Sequence, residues 1–296
     1  MKMYANLHTH STHSDGKFTP TQLVEIAKKE GYKAIALTDH DTVTGYPELQ
    51  KACADNDMEC IFGAEFSAGD DGRYFHIVGF HFDPEHPEMQ KYLAKMSEDT
   101  VVVTKCCFDE AIEAGTIKGV TWDDVVAYNN GITWLCNEHV FRLLVHKGIE
   151  EENNYYNWFK LNYEKQREKY WGRNTYLSSD EIISLIHKAG GIAVLAHPFD
   201  CLDVVENLVE KGLDGIEVRH PDMPEDCQTK ALELAKKYNL YISGGTDHSG
   251  LCSGMYSAFK TQKELEESGF FIPECAFGTT KEYFEQIKSA DKKEVK

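Results

Sequence analysis

The stretch TPTQLVEIAKKEGYKAIALTDH, residues 19–40, contains one complete helix-to-strand unit and decides how this chain folds. Thr19 followed by proline, with Gln22 three residues later, is typical of a capped helix start, and Gly31 would end that helix. The apolar run AIAL then predicts a buried strand that leads into an Asp-His pair. Repetition of this unit predicts parallel strands joined by right-handed crossovers.

The same alternation extends to both sides of this stretch. Between about residues 87 and 176 it gives way to helix-forming segments rich in Tyr, Trp and Lys. We therefore predict a barrel with a first part at 1–100 and a second part at 177–296, interrupted by a helical insertion at 101–176. The predicted strands are residues 4–7, 34–37, 59–62, 74–78, 192–195, 215–218 and 240–243.

The composition is that of a globular protein with a strongly acidic balance. Hydrophobic residues make up 42% of the 296 residues, the mean hydropathy is −0.47 and the formal net charge is −18. This length suits an α/β barrel that forms one domain. Because nonspecific nucleic-acid affinity depends on many Lys and Arg contacts to phosphate, we expect no stable binding to duplex nucleic acid. A small phosphorylated substrate held by metal ions remains compatible with this charge.

Cysteine usage and the chain start indicate a cellular compartment. Nine cysteines are scattered without a CxxC pair, which predicts buried, reduced thiols. The first residues lack the apolar segment of a signal peptide, and no run approaches membrane-spanning length. We therefore expect a cytoplasmic protein with no membrane partner, whereas the sequence does not indicate an oligomeric state.

Histidines and carboxylates follow many of the predicted strands. His8 and His10 are two residues apart on an extended segment, so both imidazoles point to the same side and can chelate one ion. Glu65 follows an apolar strand, where an unpaired buried carboxylate would be costly. Because barrel strand ends converge on one rim, we predict a hydrolytic metal site there. Its candidate ligands are His8, His10, Asp15, His40, Glu65, His76, His197, Asp247 and His248.

Two assignments have alternatives that the sequence leaves open. Asp39, next to His40, is equally suited to binding an ion, to orienting a ligand or to capping a loop. His76 lies within an apolar strand, where a lone histidine is often a hydrogen-bonded core residue. Its pairing with Glu65 favours the metal role.

Five segments together resemble one known family. They are HTHSTHSDG at 8–16, LTDHD at 37–41, GAE at 63–65, AGGIAVLAHP at 189–198 and GGTD at 244–247. Their types and order are similar to those of the PHP (polymerase and histidinol phosphatase) family of metal-dependent phosphoesterases, in the stand-alone bacterial form with a helical insertion. The resemblance implies a distorted, TIM-like (β/α)7 barrel of class α/β and a site with two or three divalent ions, zinc, manganese or iron.

The resemblance also implies how the ligands are shared. His8, His10, Glu65 and Asp247 would hold one ion, and Glu65 would bridge to a second ion held with His76 and His197. Asp15 and His40 would contribute to a third ion.

One position departs from the family pattern. The last motif usually places a histidine two residues after the aspartate, where this chain has Ser249, and His248 comes one residue early. Neighbouring side chains of an extended segment face opposite ways, so His248 would bind an ion only if the loop turns. The third ion is therefore the open part of the implied site.

The implied reaction is phosphate ester hydrolysis. A hydroxide between two cations would attack phosphorus, and Asp15 or a nearby histidine would help protonate the leaving oxygen. We expect a nucleotide or a short oligonucleotide as substrate, with a small metabolite of the histidinol-phosphate type as the alternative. A metal-dependent amidohydrolase is the alternative from another class, and a noncatalytic domain serving a polymerase is disfavoured because the chain contains no polymerase region.

Substrate contacts are expected from the insertion and the barrel rim. Arg142 could bind a phosphate with its fork of donors, and Arg173 and His220 are further candidates. For each of them a plain packing or surface role is the alternative. The aromatic residues between 155 and 171 either stack a base or form a core of their own.

Overall fold

The computed structural model describes residues 3–70, 72–170, 176–247 and 277–290. Seven strands form one mixed sheet in the order β1 to β7, with helices packed outside it. The strands are β1 Ala5–Asn6, β2 Ala34–Leu37, β3 Glu59–Asp70, β4 Arg73–Phe80, β5 Ile192–Leu195, β6 Gly215–Arg219 and β7 Tyr241–Gly244. The α-helices of the described residues are α1 Pro20–Glu30, α2 Tyr46–Asn56, α3 Pro87–Glu113, α4 Trp122–Tyr128, α5 Asn137–His146, α6 Tyr155–Phe159, α7 Lys165–Tyr170, α8 Ser179–Lys188, α9 Val205–Glu210, α10 Glu225–Tyr238 and α11 Lys281–Lys288.

The sheet nearly closes into a barrel. Strands β1, β2 and β3 are parallel, as predicted, and β5, β6 and β7 are parallel as well. Between these groups β4 runs antiparallel to both β3 and β5, which distorts the barrel. The Leu7 backbone N–H donates to the Gly244 carbonyl across 3.2 Å, and this contact joins the two ends of the sheet. The predicted TIM-like barrel is thereby confirmed.

Local sequence signals place the helices as predicted. The Thr19 hydroxyl accepts a hydrogen bond from the Gln22 N–H, and the Gln22 side-chain oxygen accepts one from the Thr19 backbone N–H, so the capping box of α1 is complete. Ser178 and Glu181 form the same arrangement at α8. The starts of these two barrel helices are therefore fixed by short-range hydrogen bonds between residues that are close in the sequence.

The barrel and the helical segment have separate cores. Small and branched side chains from β1 to β5 fill the barrel interior, and a larger cluster lies between β3 to β6 and the helices α3, α8, α9 and α10. A further cluster within residues 107–163 packs α3, α4 and α5 around the buried Trp158. Most aromatic residues of this segment belong to it, which supports the core interpretation. Helix α3 runs continuously across residue 100, where the first barrel part was predicted to end. The limits at 1–100, 101–176 and 177–296 therefore stay a prediction.

The described thiols are mostly buried. Five of the seven described cysteines are buried, and Cys60 and Cys106 are half-buried. None of the described helices combines the length and the apolar character needed to cross a lipid bilayer.

Candidate metal centre

The carboxylate of Glu65 lies at the centre of a cluster of imidazoles at the barrel rim. Five ring nitrogens approach its two oxygens within 3.0–3.2 Å, although the side chain is fully buried. Strand β3 continues past residue 62, the predicted strand end, so Glu65 is held in mid-strand between β4 and the isolated bridge to His40. Glu65 Oε2 faces His8, His10 and His40, whereas Oε1 faces His76 and His197.

His8 and His10 extend from β1 and point to the same side, as their spacing predicted. Their Nε2 atoms are 3.0 Å apart, and each is within 3.2 Å of Glu65 Oε2. Asp247, just after β7, completes this group: its Oδ1 lies 2.9 Å from His10 Nε2 and 3.6 Å from His8 Nε2. The backbone of Asp247 has φ 50°, which lies in the left-handed region.

A second group lies on the other side of Glu65. His76 Nδ1 and His197 Nε2 are both 3.0 Å from Glu65 Oε1 and 3.2 Å from each other. His76 belongs to β4, and His197 follows β5 with a backbone φ of 27°. All three side chains of the predicted second ion site therefore meet at one place.

A third group lies nearer the surface. His10 Nδ1 is 3.5 Å from Asp15 Oδ1, and His40 Nε2 is 3.8 Å from Asp15 Oδ2. The Asp15 carboxylate is 20% exposed, so this group has access to solvent. Asp39 turns away from the cluster. It accepts hydrogen bonds from Ser11 and Ser14 at 2.6–2.7 Å, so its geometry is that of a loop anchor.

Sequence reasoning missed Glu217, which orients two of these histidines. Both oxygens of its buried carboxylate lie 3.1 Å from His8 Nδ1, and one of them accepts the His197 backbone N–H at 2.7 Å. A carboxylate that binds Nδ1 leaves Nε2 as the free nitrogen, as required of a metal-binding imidazole. The available signal was a glutamate inside the apolar strand GIEV, where a buried charge needs partners.

Helix α5 holds the loop that carries Asp15. The Arg142 guanidinium donates to the carbonyls of Gly16 and Ser14, and His139 Nε2 donates to the Thr12 carbonyl at 3.0 Å. The predicted phosphate contact of Arg142 thus involves a side chain that already binds main-chain oxygens. His220 lies inside the cluster, where its buried Nε2 is 3.5 Å from Asp247 Oδ2. The predicted residues His248 and Arg173 lie outside the described residues.

The cluster has strongly shifted acid–base properties. Burial alone would raise the pKa of Glu65, but the surrounding imidazoles, chiefly His76 and His8, outweigh it and hold that pKa well below its ordinary value. Burial opposes protonation of His8, yet Glu217 and Glu65 raise the pKa of His8 well above its ordinary value. The pKa of His10 is raised against burial too, chiefly by Asp15 and Asp247. Without a cation, protons would therefore compensate the carboxylate charge.

The donor set fits divalent cations. Two ligands that share one ion at about 2.0–2.2 Å lie roughly 3.0–3.5 Å apart, and the closest donor pairs of the first two groups show such spacings. Glu65 Oε2 and His10 Nδ1 are buried without a hydrogen-bond partner among the described residues, although imidazoles and carboxylates surround them. In each of three groups of side chains, the potential ligand atoms all lie within 4.8 Å of one another. The groups are His8, His10, Glu65 and Asp247; His10, Asp15 and His40; and His40, Glu65 and His76.

A cavity of about 250 Å³ opens beside this cluster, between the barrel rim and the helical segment. The imidazoles of His40 and His76 form part of its wall. Trp134 stacks on His40 with ring centres 6.0 Å apart, and Tyr74 and Tyr176 form an aromatic edge. A bound molecule in this cavity would therefore touch aromatic rings and the proposed ion positions together.

Comparison with known proteins assigns this architecture. The family model described as the PHP domain matches residues 6–243. The chain belongs to the PHP family. The recognition made from five sequence segments is thereby confirmed, and the distorted barrel is the fold of this family.

Individual relatives agree with this assignment. A 5′-3′ exoribonuclease of Haemophilus influenzae is 32% identical over 83% of this chain and 90% of its own length. A phosphoribosyl 1,2-cyclic phosphate 1,2-diphosphodiesterase of Eggerthella lenta is 30% identical over 84% of this chain and 95% of its own length. A solved structure from Bifidobacterium adolescentis, named as a candidate metal-dependent phosphoesterase, has a TM-score of 0.72 and 26% identity over 90% of this chain and 95% of its own. This PHP protein is therefore a metal-dependent hydrolase of phosphate esters, as predicted.

Proposed function

We propose that this PHP protein hydrolyses a phosphate ester of a nucleotide or of a short oligonucleotide end. The observation that carries the proposal is the position of Glu65, whose two oxygens face two separate groups of imidazoles at 3.0–3.2 Å. A buried carboxylate between two sets of nitrogen donors is suited to bridging two cations.

The proposed ligand sets follow the three groups of side chains. His8, His10, Glu65 and Asp247 would hold one ion, and Glu65, His76 and His197 a second. His10, Asp15 and His40 would hold the third. Mixed imidazole and carboxylate ligation suits zinc, manganese or iron. When bound, such ions supply an activated hydroxide and neutralise charge on the phosphoryl oxygens.

The remaining steps belong to side chains of the chain itself. Asp15 combines partial exposure with a place in the cavity wall, so in an enzyme that holds two ions its carboxylate can take up a proton from solvent and pass it to a leaving oxygen there. Asp39 and Arg142 fix the loop that carries Asp15. Glu217 keeps His8 in the ring orientation that presents Nε2 to the cluster.

The substrate class is supported by relatives and by the cavity. The names of the two relatives describe action on RNA and on a phosphoribosyl compound, and both substrates contain ribose phosphate. The rings of Trp134, Tyr74 and Tyr176 in the cavity wall offer surfaces on which a base or a sugar can lie.

Elemental analysis of the purified protein, combined with chromatographic detection of the products released from a substrate panel, tests the proposal. The panel contains nucleoside monophosphates, bisphosphates, a short RNA with a 5′-phosphate, histidinol phosphate and simple amides. We expect two or three divalent ions per chain and preferential release from the nucleotide substrates. Preference for histidinol phosphate would contradict the substrate assignment, and activity on amides alone would contradict the reaction.

A further inference from the structure

The four side chains Glu65, Ser67, Tyr74 and His76 share one face of the hairpin formed by β3 and β4. Glu65 and Ser67 are two residues apart, and so are Tyr74 and His76, so each pair points to the same side of its strand. Ser67 lies directly opposite His76 in the register of the two strands. The hairpin thus places a tyrosine and a serine beside a proposed metal ligand.

Hydrogen bonds connect these side chains into one chain that ends on a buried carboxylate. His76 Nε2 lies 2.8 Å from the Tyr74 hydroxyl, which donates to Ser67 Oγ at 3.0 Å. Ser67 Oγ in turn donates to Asp41 Oδ2 at 2.7 Å. The other Asp41 oxygen accepts the Ser67 backbone N–H at 3.1 Å and the Tyr92 hydroxyl at 2.6 Å.

The carboxylate of Asp41 sets the direction of every hydrogen bond in this series. Both oxygens of the buried Asp41 act as acceptors, because all three of its hydrogen bonds come from N–H and O–H donors. The Ser67 hydroxyl proton is then committed to Asp41, so its oxygen accepts the Tyr74 proton. Because the Tyr74 proton is committed in turn, its oxygen must accept from His76, and the proton of neutral His76 resides on Nε2.

We propose that Tyr74 is a positioning residue that fixes His76 in the tautomer with a free Nδ1. That nitrogen faces Glu65 Oε1 at 3.0 Å and His197 Nε2 at 3.2 Å, where the second ion is proposed. The opposite tautomer would direct an N–H bond into the same place and prevent ligation. The inference rests on the proposed metal role of His76, and it gives Tyr74 the task that Glu217 has for His8.

The tautomer can be measured in the zinc-loaded full chain, independently of any phosphatase activity, because without an ion Glu65 would itself attract a proton to His76 Nδ1. Long-range ¹H–¹⁵N correlation spectra of protein labelled at histidine distinguish the two neutral forms, and the His76 signals are assigned by their loss in His76→Gln. We expect the Nε2–H form in the native chain and, at the same zinc concentration, a mixture or the Nδ1–H form in Tyr74→Phe. A native Nδ1–H form, or an unchanged tautomer in Tyr74→Phe, would overturn the proposal.

Tyr128 offers a matched control for the loss of one hydroxyl. It is 42% exposed, as against 41% for Tyr74, and its ring lies 4.9 Å from His146, as against 4.8 Å between Tyr74 and His76. We expect Tyr128→Phe to leave the His76 tautomer and ion binding unchanged. A tautomer shift of equal size in both variants would assign the effect to tyrosine loss in general and refute the specific role of Tyr74.

Ion binding gives a second readout. Removal of a group that orients a metal-bound histidine typically weakens metal binding about 10- to 100-fold. We expect chelator competition to show this loss for one ion in Tyr74→Phe, and a smaller loss in Ser67→Ala, with the other ions retained. If Tyr74→Phe bound every ion with native affinity, the positioning role would be wrong even if the enzyme hydrolysed phosphate esters as proposed.

Discussion

Replacing Glu65 with glutamine tests the centre of the site most directly. The glutamine amide has one oxygen, so one of the two imidazole groups that now face a carboxylate oxygen would face an NH₂ group. We expect at least one ion to be lost from the purified protein. A catalytic cation contributes several kcal/mol to transition-state stabilisation, and about 4 kcal/mol corresponds to roughly a 10³-fold loss of kcat.

The assay measures bound metal and phosphate release on the same sample. Glu59→Gln is a matched control, because Glu59 begins the same strand but binds Tyr4 and Lys288 away from the rim. It should keep native metal content and turnover. Glu65→Gln with native metal content and native kcat would refute the ligand assignment, whereas loss of the ions without loss of turnover would refute their catalytic role.

Three further outcomes follow from the geometry of the rim. Carboxylates raise the pKa of His8 and His10 in the metal-free protein, so metal binding should release protons and the affinity for metal should increase with pH. A metal titration in weakly buffered solution that shows no acidification would contradict this. Arg142→Met removes charged hydrogen bonds worth about 1.5–3 kcal/mol each, so the ion nearest Asp15 should bind at least tenfold more weakly in chelator competition. Native affinity for every ion in this variant would contradict the role of Arg142 in holding the loop. Gly245→Ala would place a methyl group against the backbone of His8, so the free energy of unfolding measured with denaturant should fall by about 2–3 kcal/mol. A decrease below about 1 kcal/mol would show that the barrel rim adjusts to the methyl group.

The sequence predicted what depends on short-range patterns. The spacing of His8 and His10 on an extended segment was enough to predict that their imidazoles share one side, and the structure brings their Nε2 atoms to 3.0 Å. The boundaries of β2 at Ala34–Leu37 and of β5 at Ile192–Leu195 agree with the predicted ones. The family resemblance then predicted which distant segments of the sequence lie together at the site, and the comparisons confirmed the family.

What the sequence did not predict depends on contacts between distant segments. Glu217 reads locally as one more residue of an apolar strand, and its role emerges only because β6 lies next to the strand ends that carry His8 and His197. The hydrogen-bond chain from His76 to Asp41 likewise needs the register of β3 and β4. For Arg142 the sequence left phosphate binding and packing open, because nothing in its helix shows that two of its donors bind loop carbonyls.

The contact between α5 and the loop at residues 12–16 has an evolutionary consequence. His139 and Arg142 bind carbonyl oxygens of the loop, and every amino acid carries such an oxygen. A substitution at Thr12 therefore leaves an acceptor for His139 in place, provided that the backbone keeps its path. Mutations of His139 or Arg142 have no such tolerance, so Thr12 can vary while these two helix positions must keep their donors.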